Sequence, residues 1–538
     1  MNKLNNYIQK YENPLKFSLI VMGVLLILIG IFTDFSWLKT IGDSYSADGD
    51  CRPCKTFVDL SLIIFSVSGI FLIIYAVKYF PFSLHGSKDL ETILELALFF
   101  ILGLYLVSSQ IRYFDCDEYE HLHNAWLMTE GTLPYFNIAV QHTPLLEWII
   151  IIFMRLTGES TLIIQLMRLF IFVISCGSLY LIYKITDELF NSKTKALLAL
   201  FLIVSNLVWI VVSPEIRPDN IMIFFALLSF WFLMKYYKYQ KSIYVIIFVL
   251  CAFLSMLGKQ NAAVFYFAIG IVFGYDVIVR RRLFNLKIIV VLLITVIILL
   301  QIDVIKDFLT INVNRHLVPN DIKFWPNKWL VKIYIFNPAL FLLFIFQLFS
   351  PIKLNKKYEI IPKYLISISL VCFTFLFLMN RPFMQEMLVM IVFMGMFSAN
   401  IFAEIIQKLD RKVFYVIIML LMLPVLLSTK NAVFDESFSD DIKTTRTILE
   451  IAGRDDLVFD AYGKAIFRHH PLEPQYLIYF PSKFKRFEEL KSSKVNFLIK
   501  DQYLYPKLPE EVLSWFEKNF RQTDQNPNIY IRIDHNRS

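Results

Sequence analysis

The chain has 538 residues, of which 57% are apolar and only 18% are charged. Soluble domains carry about 25% charged residues, so this composition, with a mean hydropathy of +0.57, excludes an ordinary soluble protein. The formal net charge of +8 comes from Lys and Arg placed between apolar segments, a pattern that reports membrane topology and does not support nucleic-acid binding.

Apolar stretches of about 20 residues, the length that crosses ~30 Å of hydrocarbon as a helix, recur along the chain. A helix satisfies its own backbone hydrogen bonds in lipid. The sequence therefore predicts an all-α polytopic membrane protein, a bundle of about 13 transmembrane helices. The predicted spans are 17–33, 57–79, 91–110, 161–184, 196–213, 219–234, 243–257, 262–279, 286–305, 331–349, 364–379, 384–404 and 412–428.

The distribution of positive charge predicts a cytoplasmic N-terminus, because cytoplasmic loops retain Lys and Arg. All six inward connections carry Lys or Arg, and Lys3, Lys10 and Lys16 precede the first span. An odd number of spans then places the C-terminal part on the extracytoplasmic side. The first apolar run has no small-residue cleavage site, so we expect a retained anchor in the plasma (inner) membrane.

This pattern divides the chain into three parts. Residues 1–90 form a two-span extension to which the sequence assigns no function, and residues 91–428 form the main bundle, with a predicted active-site loop at 111–160. Residues 429–538 form a polar tail in which strand-like runs alternate with amphipathic stretches. The tail is therefore predicted to be a small extracytoplasmic α/β domain.

Cys51 and Cys54 form a CxxC pair in the first outer loop. An oxidising compartment permits a disulfide at this spacing, and CxxC also occurs in redox and zinc sites. Because no second CxxC completes a zinc site, we expect a local disulfide or two free thiols.

The segment 114–126, directly after the third predicted span, concentrates ionisable side chains. Within nine residues it contains Asp115, Asp117, Glu118, Glu120, His121 and His123. Apolar and aromatic residues are interleaved with them, so the segment is expected to pack against the membrane surface, where burial raises carboxyl pKa values and favours proton transfer. The pattern indicates an active or binding site, and the alternative is an acidic loop in solvent.

Later segments add cations to the same face. The run 144–154 is too short to span the membrane and predicts a helix in the interface. The short outer loops that follow carry Arg217, Lys259 and Arg381, and Arg168 lies within two turns of that face. Ionisable groups are costly in a membrane, so function is the expected explanation and snorkelling is the alternative.

These segments contain an ordered set of short motifs. They are Asp117-Glu118 with His121 and Trp126, Gly131 with Pro134-Tyr135, His142-Thr-Pro-Leu145, Arg168-Leu169, Glu215 with Arg217-Pro-Asp219, and Lys259-Gln260. The set, over roughly 91–400, resembles the GT-C glycosyltransferases related to protein O-mannosyltransferases and the lipid A aminoarabinose transferase. The resemblance implies transfer of a sugar from a polyprenyl-phosphate donor to a lipid, glycan or protein acceptor, with inversion at the anomeric carbon.

That reaction needs a base for the acceptor proton and cations near the leaving phosphate. Asp117 is the predicted general base, and Glu118 is predicted to orient the acceptor or share the site. The predicted substrate-binding residues are His121, His142, Arg168, Glu215, Arg217, Asp219, Lys259, Gln260, Arg381 and Gln385. The partners implied are the lipid-linked donor, the acceptor and membrane lipids.

No cofactor is expected to be required. A divalent metal is the alternative, because Asp115 and Asp117 form an acid-x-acid pattern and His121 is a candidate third ligand.

A transporter or flippase of an anionic lipid-linked substrate is the competing function, with acids that relay protons and cations that guide the lipid. Such acids should lie in the middle of the membrane, whereas these cluster at its outer boundary. The spans also show no internal repeat, unlike many transporters. A noncatalytic scaffold is a third interpretation, and it predicts no role for Asp117.

Overall fold

The computed structural model describes residues 87–132, 142–280, 338–352, 358–378, 384–408, 411–434, 437–460, 463–472, 487–500, 505 and 508–534. The first two predicted spans, the Cys51 and Cys54 pair between them and the span predicted at 286–305 lie outside these residues.

Helices dominate the described part of the chain. In order they are α1 (Ser87–Ile111), α2 (Cys116–Thr129), α3 (Leu145–Thr157), α4 (Leu162–Phe190), α5 (Lys193–Val204), α6 (Leu207–Val212), α7 (Pro218–Tyr239), α8 (Ser242–Gly258), α9 (Ala262–Arg280), α10 (Pro338–Phe349), α11 (Ile361–Leu378), α12 (Leu388–Lys408) and α13 (Arg411–Phe434). Among the described residues, α1, α4, α7, α12 and α13 are long and apolar enough to cross a membrane, and α8 to α11 are shorter apolar helices. The chain is a multi-pass membrane protein, and the count of thirteen spans stays a prediction.

One predicted span is wrong in detail, because the stretch 196–213 is two helices. Helix α5 ends at Val204, and α6 begins after Asn206, whose side chain accepts a hydrogen bond from Val208 N at 2.9 Å. An Asn side chain competes with the helix for backbone N–H groups and starts a new helix as its N-cap. The break directs the chain into the 213–217 loop, which carries part of the candidate site.

The bundle core forms where the helices approach closely. Helix α7 packs against α8 and α4, α5 packs against α12, and α11 lies against α9 and α12. Buried aromatic side chains such as Trp209, Phe230 and Phe393 fill the space between them. Gly395 marks the tightest approach of α12 to α5, since a Cβ added there would lie 2.6 Å from Ile203 Cγ1.

Helices α2 and α3 are too short to span a membrane and lie beside the bundle. Leu146, Ile150 and Met154 of α3 are buried, whereas its Ile152 and Leu156 are 61% and 78% exposed. Apolar residues on both faces suit a helix that packs on protein on one side and on lipid on the other. A helix is therefore present at the predicted segment 144–154, with bounds of 145–157, and its place in the membrane interface stays a prediction.

The C-terminal part contains the expected α/β domain. Its elements are α14 (Ser437–Ile451), β1 (Leu457–Asp460), α15 (Phe487–Ser492), β2 (Val495–Ile499), α16 (Glu510–Asn519), β3 (Phe520–Gln522) and β4 (Ile529–Arg532). The strand order is β1-β2-β4-β3, with β1 and β2 parallel and the other pairs antiparallel. The sequence pattern had indicated β1 and β2 but missed the short strands β3 and β4.

This domain contacts the acidic segment directly. His123 Nδ1 lies 2.8 Å from Ile466 O, and the His469 ring lies 5.0 Å from Trp126. Arg468 forms an ion pair with Glu159 at 2.9 Å. The C-terminal domain therefore lies on the same face of the bundle as the acidic loop.

We expect Gly395→Ala to lower the free energy of unfolding by about 1–3 kcal/mol, because the added Cβ overpacks the contact with Ile203. Gly270→Ala is the matched control, since a Cβ there meets nothing within 4 Å and Ala favours a helix over Gly by up to about 1 kcal/mol. Thermal unfolding in detergent measures both. Equal melting temperatures for Gly395→Ala and the wild type would contradict the tight contact.

Candidate active site

The acidic segment enters the site as the first turn of α2. The Asp115 side chain accepts a hydrogen bond from Asp117 N at 2.9 Å, and Asp115 N donates to the Glu118 carboxylate at 3.1 Å. This reciprocal capping box fixes where the helix begins. It holds Asp117 and Glu118 at a helix N-terminus, where the helix dipole favours negative charge.

Glu118 is a fully buried carboxylate with both oxygens occupied. It accepts hydrogen bonds from Arg168 at 2.8 and 3.1 Å, from Ile216 N at 3.0 Å and from Asp115 N at 3.1 Å. Burial alone would raise the pKa of Glu118, but Arg168 and the two backbone N–H groups outweigh burial and lower it. Glu118 has no exposed surface with which to orient an acceptor, so its geometry supports a positioning role in place of the predicted contact.

Arg168 is the partner of Glu118 and uses all five of its N–H donors. Besides Glu118, it donates to the carbonyl oxygens of Ser109, Arg112 and Tyr113 at 3.3, 2.7 and 3.0 Å. Its guanidinium also lies 4.1 Å from the Phe114 ring centroid. Arg168 therefore ties α4 to the end of α1 and the start of α2, and the predicted contact with substrate is not what this geometry supports.

Arg217 connects three carboxylates at the open side of the site. It donates to Asp117 and to Glu215, and its other terminal nitrogen lies 3.0 Å from Asp115. Arg112 forms a second ion pair with Glu215 at 2.7 Å. This row of alternating charges ends at Asp115 and Asp117, whose side chains are 28% and 24% exposed.

Burial makes two carboxyl groups of this row weaker acids. It raises the pKa of Glu215 to about 7, against the opposing effect of Arg112 and Arg217. It also raises the pKa of Asp115, with Arg217 opposing the shift and Asp117 adding to it. The row contains more carboxyl groups than guanidinium groups, so its carboxylates repel one another.

Lys259 forms a second ion-pair group at the start of α7. Its ammonium lies 2.8 Å from Asp219 and 3.4 Å from Glu386, and it is 1% exposed. Gly258 permits this approach, because a Cβ there would lie 3.1 Å from the backbone nitrogen of Met222 in α7. The end of α8 is thereby held against the start of α7.

Two histidines lie between these groups. His121 Nδ1 is 2.7 Å from Glu147 Oε1, and the His121 and His142 rings stack with centroids 5.8 Å apart. Burial opposes protonation of His121, but Glu147 outweighs it and raises the pKa. Burial, together with the charge of Lys259, lowers the pKa of His142 to about 3. The two shifts have opposite directions, so the cationic form is favoured at His121 and the neutral form at His142.

Most predicted site residues gather at this face. Glu215, Arg217, Asp219, Lys259, His121 and His142 join Asp117 as described. Gln260 follows Lys259 in the turn before α9, and Gln385 precedes Glu386 in the 3-10 turn Met384–Met387. Arg381 lies outside the described residues.

Three members of the site were not predicted from the sequence: Arg112, Glu147 and Glu386. Arg112 was not distinguished from the many cations at span ends. Glu147 gives the clearest signal in hindsight, since a single acid stands within the apolar run of α3. Each of these side chains matters through a partner distant in sequence, which no local pattern shows.

A metal site has limited support among the described residues. Asp115, Cys116 and Asp117 offer ligand atoms within 4.8 Å of one another, and His121 does not belong to this group. Arg217 already binds both carboxylates, so its positive charge competes with any cation there. The expectation that no cofactor is required stays a prediction.

Two solved structures share this fold. ArnT from Cupriavidus metallidurans bound to undecaprenyl phosphate matches with a TM-score of 0.51 at 12% identity, covering 81% of this chain and 97% of that chain. ArnT from Cupriavidus metallidurans in the apo state matches with a TM-score of 0.54 at 9% identity, covering 83% and 98%. At such identities the likeness is one of fold.

The model of the dolichyl-phosphate-mannose-protein mannosyltransferase family matches residues 141–304, a range that includes His142, Arg217 and Lys259. A search of curated protein sequences finds no significant match. The fold and the family model confirm the predicted resemblance to the GT-C glycosyltransferases: the chain shares the fold of ArnT, and residues 141–304 match the mannosyltransferase family model.

We expect Arg168→Met to lower the free energy of unfolding by about 3–5 kcal/mol, because Glu118 is left buried without its cation. The double variant Arg168→Met with Glu118→Leu should recover part of the loss. Arg155→Met, on the exposed face of α3, is the control and should change stability by less than about 0.5 kcal/mol. Thermal unfolding in detergent measures all three, and a neutral Arg168→Met would contradict the anchoring role.

The low pKa of His142 predicts a pH dependence of stability. The unfolded chain binds a proton at this residue near pH 6.5, whereas the folded chain does so only near pH 3. Its contribution is therefore complete above pH 6.5 and is lost as pH falls toward 3, with a slope of at most about 1.4 kcal/mol per pH unit. His142→Gln should flatten this decline in unfolding measurements. Equal slopes in His142→Gln and the wild type would contradict the assignment.

Proposed function

We propose that the chain is a membrane glycosyltransferase that moves a sugar from a polyprenyl-phosphate donor to a hydroxyl group of a lipid, glycan or protein acceptor on the extracytoplasmic face. The GT-C fold, the mannosyltransferase family model and the likeness to an ArnT structure that holds undecaprenyl phosphate support this class of reaction. The charged face formed by the first turn of α2 and the starts of α3 and α7 is the proposed site of transfer.

The accessibility of Asp117 carries the assignment of the base. Glu118, Glu147, Glu215 and Asp219 are at most 3% exposed and bind internal partners. Only Asp115 and Asp117 in the row of ion pairs keep substantial exposed surface. Asp115 is committed to capping α2, so Asp117 is the carboxylate that can meet an acceptor hydroxyl.

The reaction assigns complementary tasks to Asp117 and the cations. The acceptor oxygen attacks the anomeric carbon while Asp117 takes its proton, and the bond from that carbon to the phosphate oxygen breaks with its electron pair leaving on the phosphate. A single displacement of this kind inverts the anomeric centre. Arg217 and Lys259 are placed to stabilise the charge on the departing polyprenyl phosphate.

Arg217 also couples donor binding to activation of the base. In the structure its guanidinium holds Asp117, an arrangement that makes the carboxylate a poor proton acceptor. A phosphate that binds Arg217 competes with Asp117 for the same donors. Binding of the donor therefore releases Asp117 at the moment when a base is needed.

We expect Asp117→Asn to reduce sugar transfer by about 10²–10⁴-fold, because the amide cannot take the acceptor proton. Mass spectrometry of glycolipids, glycans and glycoproteins compares cells with the wild type, a deletion, Asp117→Asn or Glu130→Gln at matched expression. Loss of the same sugar in the deletion and in Asp117→Asn, with a normal profile in Glu130→Gln at the end of α2, would identify sugar and product together. A normal profile in Asp117→Asn beside an altered one in the deletion would contradict the base and favour a transporter or a scaffold.

A further inference from the structure

Glu147 is a buried acid that the reaction described above does not use. It lies in the first turn of α3 and is 0% exposed, with Leu146 and Ile150 of the same helix and Leu122 of α2 in the surrounding apolar cluster. A carboxylate in such a place costs stability, and apolar residues of similar size often replace a buried ion pair without loss. The fold alone therefore gives no reason for an acid here.

The contact with Glu147 fixes which ring nitrogen of His121 carries a hydrogen. Glu147 Oε1 lies 2.7 Å from His121 Nδ1, and Glu147 Oε2 has no hydrogen-bond partner among the described residues. A carboxylate accepts, so Nδ1 carries the hydrogen, and both the ring orientation and its protonation at Nδ1 are fixed. The carboxylate also raises the pKa of His121 and so favours the imidazolium form, in which Nε2 carries a hydrogen as well.

The other side of the imidazole faces the proposed site. His121 lies four residues after Asp117, so the two side chains share one face of α2. The ring stacks on His142, and the side chain keeps 6% exposure. In the described part of the chain, Nε2 of His121 makes no hydrogen bond, so its N–H remains available to a ligand.

The nearby cations are more heavily engaged. Arg168 has all five donors bonded inside the protein. Arg217 binds three carboxylates, and Lys259 binds two. A phosphate must displace carboxylates to reach Arg217 or Lys259, whereas His121 presents a donor without any displacement.

We propose that Glu147 is a positioning residue that holds His121 through Nδ1 so that the Nε2–H group donates to the phosphate of the lipid donor. This inference rests on the proposed function and adds to it a phosphate contact that does not depend on Arg217 or Lys259. Glu147 itself does not touch the substrate.

Binding to the full-length chain in detergent tests this, with undecaprenyl phosphate as the probe and undecaprenol as the matched lipid without a phosphate. We expect Glu147→Gln and His121→Gln each to weaken binding of undecaprenyl phosphate about tenfold, the effect of losing one charge-assisted hydrogen bond. Binding of undecaprenol should not change. The double variant should bind no more weakly than His121→Gln alone, since both changes remove one contact.

The control is Asp276→Asn, which removes another 0% exposed acid. Asp276 lies in α9 beside the Tyr237 hydroxyl, at the end of α7 opposite to Asp219. It should leave the binding of both lipids unchanged, so any general effect of removing a buried carboxylate is measured separately.

Other results would overturn the inference. Equal loss of undecaprenol and undecaprenyl phosphate binding in Glu147→Gln would show that Glu147 has a structural role. Unchanged binding of undecaprenyl phosphate in His121→Gln would contradict the proposed phosphate contact, even if Glu147→Gln fails to fold. Additive losses in the double variant would show that the two residues act separately. If the wild type does not bind undecaprenyl phosphate, the proposed function fails as well; if it binds and both single variants bind equally well, only the present inference fails.

Discussion

The buried ion pair between Glu118 and Arg168 is the interaction on which the site depends. It joins four pieces of chain: the end of α1, the first turn of α2, the second turn of α4 and the backbone at Ile216. Neither side chain has enough exposed surface to meet a substrate. Both are satisfied inside the protein, whereas the neighbouring Asp117 pairs with Arg217 and keeps part of its side chain exposed. The position of Asp117 is therefore set by a contact that chemistry at the site does not disturb.

The cations near Asp117 are paired with carboxylates of the protein itself. Arg217 and Lys259 are held by carboxylates, and two of the carboxyl groups near Arg217 have pKa values raised by burial. In the proposed reaction an anionic donor enters by exchanging partners with groups that are already ordered, and its arrival releases the base. The carboxylates keep the cations in place without leaving them uncompensated in a setting of low polarity.

Much of the fold was accessible from the sequence because its determinants are local. Apolar stretches near the length of a span predicted the bundle helices, and short apolar runs at 457–459 and 495–499 predicted β1 and β2 of the C-terminal domain. The break at Asn206 was not predicted, since a single polar residue in an apolar run does not reveal that its side chain caps a new helix. The site was anticipated through its motifs, yet the roles of Glu118, Arg168 and Glu147 depend on partners 50, 50 and 26 residues away. Pairing over such distances is decided by packing, which a one-dimensional pattern does not contain.

The contact between α2 and the C-terminal domain has a consequence for how the protein is made. His123 meets Ile466, which is 343 residues further along the chain. A ribosome synthesises the acidic segment before helices α3 to α13, and these enter the membrane while the partner of His123 has yet to be translated. The helix that carries Asp117 thus receives this supporting contact only after the bundle has been translated, so assembly of the site is coupled to synthesis of the C-terminal domain.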